Sequence, residues 1–146
     1  MENDSLAPCG VICALCLGYQ HRKNKCVGCK NPGNKPNHCT ACSIKTCPEK
    51  NGNSMELCSV CRKFPCRRIR DLDKRYKVKY AESPIENLRA VSAMGINDFI
   101  RTEEIHWKCP NCGNLLCVHK GQCLSCGAPN RFFPALNDAD QKLGFA

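Results

Sequence analysis

The chain has 146 residues, 16 of them Cys, and a formal net charge of +9. Leu, Ile, Val and Phe together number 29, at the lower edge of what a packed core needs, and no apolar run reaches the roughly 18 residues of a membrane span. The length excludes a large α/β enzyme, and the first 66 residues, with 11 Cys but only 10 of those apolar side chains, need cross-links in order to fold.

Residues 1–14 read MENDSLAPCGVICA, with no basic stretch ahead of an apolar run. No secretory signal is recognised, so a cytoplasmic location is expected, where thiols stay reduced. The spacing then points to metal rather than disulfides. Cys13/Cys16, Cys26/Cys29, Cys39/Cys42, Cys58/Cys61, Cys109/Cys112 and Cys123/Cys126 are six Cys-x2-Cys pairs. Two intervening residues let both sulfurs of a tight turn face one ion at about 2.3 Å. Disulfide frameworks have no reason to repeat that spacing.

The N-terminal cluster opens with Cys9-x3-Cys13-x2-Cys16 and Cys26-x2-Cys29. Two repeats of Cys-x2-Cys-x4-Cys come next, Cys39/Cys42/Cys47 and Cys58/Cys61/Cys66. With His38 these 11 Cys make 12 ligands, enough for three four-coordinate sites. His21 is an equal candidate for the twelfth place, and two sites with three spare Cys is the competing count. The pairing of ligands into sites stays open. Three Cys at the first spacing also suit an iron–sulfur cluster with an open iron. Radical enzymes of that kind need a barrel longer than this chain. A plain iron–sulfur cluster remains the alternative to zinc.

From Pro65 to Tyr80 the sequence is charged and periodic, and Ile69, Leu72 and Tyr76 form one apolar stripe of a helix. Ser83-Pro84-Ile85-Glu86 supplies an N-cap, a Pro at the first helical position and the Glu of a capping box. Ile85, Leu88 and Val91 continue that helix, and Gly95 ends it. Asn97 is expected to cap a third helix whose Phe99, Ile100 and Ile105 face inward. Trp107 is expected to pack these helices against the C-terminal segment.

In that segment, Cys109-Pro-Asn-Cys112-Gly113 and Cys123-Leu-Ser-Cys126-Gly127 are two like knuckles with a ten-residue spacer long enough for a short hairpin. This is a zinc-ribbon signature. Four thiolates close a tetrahedral site and leave no position for water, so the site is expected to be structural. Cys117 is read as a small apolar residue and His119 as a surface side chain, although alternate positions of a strand would let them share a ligand. The expected fold is a small metal-stabilised α+β chain. It comprises a Cys-rich irregular zinc domain over 1–66, a helical segment over 67–107, a zinc ribbon over 108–130 and a tail over 131–146.

The order Cys9-Gly10, Cys13, Cys16, Tyr19, Cys26-x-Gly28-Cys29, Cys42-x4-Cys47 and Cys58-x2-Cys61-x2-Phe64-Pro65-Cys66 resembles that of the domain-of-unknown-function 3795 family, small Cys-rich prokaryotic proteins. Asp73, Tyr76, Tyr80, Ser83-Pro84, Leu88 and Gly95 continue the similarity, which covers about residues 6–107. The resemblance implies a zinc-binding protein without an assigned reaction, with the ribbon as an extension. Cys39 and His38 are less typical of the family than the other ligands.

Zinc binding changes what the charge means. Filling four sites with zinc would bring the net charge from +9 to about +2, because bound Cys are thiolates. A basic run persists: Arg62, Lys63, Arg67, Arg68, Arg70, Lys74, Arg75, Lys77 and Lys79. Tyr76 and Tyr80 within it are able to stack on bases, whereas the plainer reading is a solvated helix face paired with Asp71 and Asp73. No hydrolase triad, P-loop or dinucleotide fingerprint occurs. The expected function is a non-enzymatic zinc module, holding three to four ions, that binds a protein partner and no membrane. Nucleic-acid binding and iron–sulfur or metal-handling redox work are the alternatives.

Overall fold

The computed structural model describes residues 1–20, 25–31, 33–35, 39, 42–44, 47–50 and 56–134. All the cysteines fall among these, while His38 and its rival His21 lie outside the described residues. The described elements are helical: α1 (Leu17–Gln20), α2 (Arg67–Tyr80), α3 (Pro84–Met94) and α4 (Ile96–His106), with single 3-10 turns at Asn3–Ser5, Cys13–Leu15, Pro48–Lys50 and Cys58–Val60. No described helix is long and apolar enough to cross a membrane.

The β half of the expected α+β fold is not found among the described residues. Only isolated antiparallel bridges occur there, Leu6–Ile12, Lys108–Leu115 and Gln122–Pro129. The spacer between the C-terminal knuckles does not pair with itself as a hairpin. Its amides reach elsewhere: Leu116 N donates to Trp107 O at 2.8 Å and Val118 N to Leu15 O at 2.9 Å.

Helix α2 buries Ile69 and Asp73 and keeps Leu72 and Tyr76 half-buried on the same side, as the apolar stripe requires. Its C-terminus and the start of α3 meet at Asp73. That carboxylate accepts from Ser83 Oγ at 2.6 Å and from Ile85 N at 3.0 Å, while Ser83 Oγ accepts from Glu86 N at 3.1 Å. Ser83 is therefore the N-cap that the sequence indicates. The Glu86 carboxylate meets Arg89 at 3.2 Å.

Gly95, at φ +86°, ends α3 and starts α4 with no residue between them. Asn97 therefore does not cap α4. It sits in the first turn, where its side-chain oxygen accepts from the Asn3 amide instead. Phe99 and Ile100 are buried, but Ile105 is 65% exposed, contrary to the expected inward face. Five residues beyond Ile100, it lies about 140° around the helix.

One core draws on distant parts of the chain: Leu6, Ile12 and Leu15, then Phe99, Ile100 and Trp107, then Leu116 and Val118. Trp107 packs as expected, and its indole N–H donates to Glu103 Oε2 at 3.0 Å. The loop closed by Leu6 and Ile12 is wedged onto α3. Asn87 Nδ2 donates to Gly10 O at 2.9 Å and Cys58 N to Pro8 O at 2.9 Å. A Cβ on Gly10, at φ +94°, would collide with the Pro84 carbonyl oxygen. These contacts set Cys9 beside Cys58.

Candidate metal centres

The C-terminal knuckles are two copies of one local structure. Cys109 N donates to Asn114 O and Gly113 N to Cys109 O, at 2.8 and 2.9 Å. Cys123 N donates to Ala128 O and Gly127 N to Cys123 O, at 2.7 and 2.9 Å. Gly113 and Gly127 both adopt φ +79°, a conformation open to glycine at no steric cost. The sulfurs of Cys109, Cys112, Cys123 and Cys126 consequently lie within 4.8 Å of one another. Cys109–Cys126 and Cys112–Cys123 sulfurs are 3.6 Å apart. Four sulfurs so placed can hold a metal ion.

Local donors already favour charge there. The Asn111 side chain and the Ala128 amide pull the Cys126 thiol down to about 6. At Cys112 the Asn114 amide acts in the same sense, but desolvation and the neighbouring thiols prevail and push it up to about 11. Cys126 therefore gives up its proton readily, and Cys112 does so when a cation compensates the charge.

The eleven N-terminal cysteines divide between two cavities. Cys47, Cys58, Cys61 and Cys66 line a space of about 30 Å³ walled by Ile44, Phe64 and Ile69. That is the size of one water or one ion. Cys9, Cys13, Cys16, Cys26, Cys29, Cys39 and Cys42 line a second cavity of about 700 Å³. The cavity linings interleave the repeats: Cys47 of the first repeat lies with the second repeat, while Cys39 and Cys42 lie with the upstream cysteines. No two described cysteines form a disulfide.

A backbone pattern runs through these sites. The sulfurs of Cys26 and Cys61 accept from the amides two residues on, Gly28 and Lys63, each at 3.4 Å. Cys9, Cys16 and Cys126 accept likewise from Val11, Gly18 and Ala128. An N–H aimed at sulfur stabilises the thiolate and leaves its other lone pairs for a metal. Against this, burial pushes Cys9 and Cys39 each up to about 12. Cys13 is raised further by its hydrogen bond with the Cys29 thiol and by burial. Without a cation these sulfurs stay protonated.

No known protein family, curated protein or solved structure matches the chain. The chemistry open to the sites is therefore set by their donors and their shape.

His119 is not the surface residue the sequence suggests. It is half-buried on the wall of the large cavity, edge-on to Tyr80 at 4.6 Å and Tyr76 at 6.2 Å. Its Nδ1 accepts from Leu17 N at 3.1 Å. Burial, then nearby Lys120, holds its pKa below the usual histidine range. Nothing in the spacing of His119 reveals this placement, because it depends on Val118 meeting Leu15 across the fold. Cys117 does pack as a small apolar residue, fully buried, and burial pushes its thiol up to about 11. The tyrosines singled out for base stacking turn their rings to each other and to His119.

Proposed function

We propose that this chain is a metal–thiolate protein that uses zinc to hold its fold and works as a non-enzymatic binding or adaptor module for another protein. The reading rests on one observation above all: four cysteine sulfurs, on two matching knuckles, within 4.8 Å of one another. Four thiolates fill a tetrahedral zinc site, so such a centre offers no position to a substrate and serves structure. Cys47, Cys58, Cys61 and Cys66 line one small cavity together with Glu49, but among the described residues only the knuckle cysteines bring their sulfurs within 4.8 Å of one another. A zinc role also agrees with what the resemblance to the domain-of-unknown-function 3795 family implies.

The test is metal analysis of the full chain and two variants. Cys126→Ser should lose about one equivalent of zinc, since a hydroxyl is a poor zinc ligand. Cys117→Ala should lose none. Equal zinc in wild type and Cys126→Ser would refute the assignment.

A nucleic-acid partner is the second reading, and the basic residues of α2 favour it. Arg67, Arg68, Arg70, Lys74, Arg75, Lys77 and Lys79 are all exposed. Of these, only Arg67 and Lys77 have intrahelical acidic partners among the described residues, Asp71 at 3.9 Å and Asp73 at 3.1 Å. Binding that falls steeply with salt would support this partner.

A further inference from the structure

We infer that the seven-cysteine cavity holds a polynuclear iron–sulfur cluster, a centre different in kind from the single-ion site of the knuckles. The inference deepens the metal–thiolate reading and rests on it. Its first ground is number. A tetrahedral ion takes four thiolates, and seven line this one cavity. The second is volume. The cavity measures about 700 Å³, against about 30 Å³ beside Cys47, Cys58, Cys61 and Cys66. The larger space has room for a centre of several irons and bridging sulfides, and the smaller one does not.

The third ground is the donor set. No carboxylate lines the cavity among the described residues. Leu17 N donates to His119 Nδ1, so the neutral ring carries its hydrogen on Nε2. His119 is then a hydrogen-bond donor and not a ligand, and seven cysteine sulfurs outnumber the hydroxyls of Tyr19, Ser43, Tyr76 and Tyr80. Thiolate-rich sites select zinc, cuprous ion or iron–sulfur clusters. The surroundings suit an anionic cluster. Arg75 and Lys79 stand on the rim, and the amides of Val11, Gly18 and Gly28 point at cysteine sulfurs. Hydrogen bonds to sulfur are among the means by which proteins tune such clusters.

The full chain, prepared without oxygen, is treated with ferric and ferrous iron together and with sulfide, so that a mixed-valence cluster can form without a further oxidant. Iron, acid-labile sulfide and the visible spectrum are then measured. The expected result is a brown protein with more than one iron and more than one sulfide per chain. Cys126→Ser keeps both. The pair Cys26→Ser with Cys29→Ser loses both, and so does the pair Cys39→Ser with Cys42→Ser, whose residues lie outside the hydrophobic core. A colourless protein without labile sulfide would overturn the inference, as would iron bound without sulfide or a cluster that both paired variants retain. Zinc that still depends on Cys126 in such a protein would leave the proposed function standing.

Discussion

Asp73 and Glu82 show opposite ways in which a partly buried carboxyl ties proton binding to stability. Burial alone would raise the Asp73 carboxyl, but Ser83, the Ile85 amide and Lys77 outweigh it and hold it below the usual range. Its stabilisation is therefore present above the unfolded value of about 3.9 and is lost as pH falls through the folded one. Asp73→Asn should cost about 1–3 kcal/mol at pH 7, and urea titrations at falling pH should show the deficit shrink. Glu82 runs the other way. Burial, with Glu103 nearby, raises it to about 7 despite its bond with Asn87. Folding then favours the protonated form, so the group stabilises least above pH 7 and most below about pH 4.3. Glu82→Gln should raise the Tm at pH 8 by a few degrees, with a smaller gain at pH 6. A gain that grew on acidification would contradict the sign.

Among the elements, α2 to α4 follow the sequence closely because their signals are local. The stripe of Ile69, Leu72 and Tyr76, the Ser83 cap and the Gly95 stop each act within a few residues. Ile105 departs from expectation because one apolar residue fits the helical period only when counted from the face that is actually covered. Asn97 departs because Gly95 leaves no room for a separate cap. Ser83→Ala should cost about 1 kcal/mol, since it removes a cap and one of the donors to Asp73. Gly10→Ala should cost roughly 2 kcal/mol or more, since it sets a Cβ against the Pro84 carbonyl in a conformation that alanine resists. Thermal unfolding of the two variants would rank them; a Gly10→Ala chain as stable as wild type would mean that the first loop does not sit on α3.

For the whole molecule, the four knuckle cysteines were legible as a possible metal site because Cys-x2-Cys spacing lets one turn aim two sulfurs at one ion. The grouping of the N-terminal cysteines around their cavities was not legible. It depends on contacts such as Cys58 N to Pro8 O, which join residues 50 positions apart. The same holds for His119, brought to the N-terminal cavity by the Val118–Leu15 bond. Because Leu6, Leu15, Trp107, Leu116 and Val118 share one core, metal loss at the knuckles should be felt beyond them. Structural zinc supplies about 10–16 kcal/mol of apparent binding energy in small domains, more than so modest a core can replace. Complete chelation should therefore abolish the dispersed amide signals of residues 5–17 as well as 107–130.

Zinc-edge X-ray absorption on the full chain tests the central claim most directly. The sulfur geometry predicts four sulfur neighbours at about 2.3 Å around the knuckle zinc, with no nitrogen or oxygen in its shell, and loss of that zinc in Cys126→Ser. A folded chain that carries no zinc, or zinc bound through nitrogen and oxygen, would contradict it.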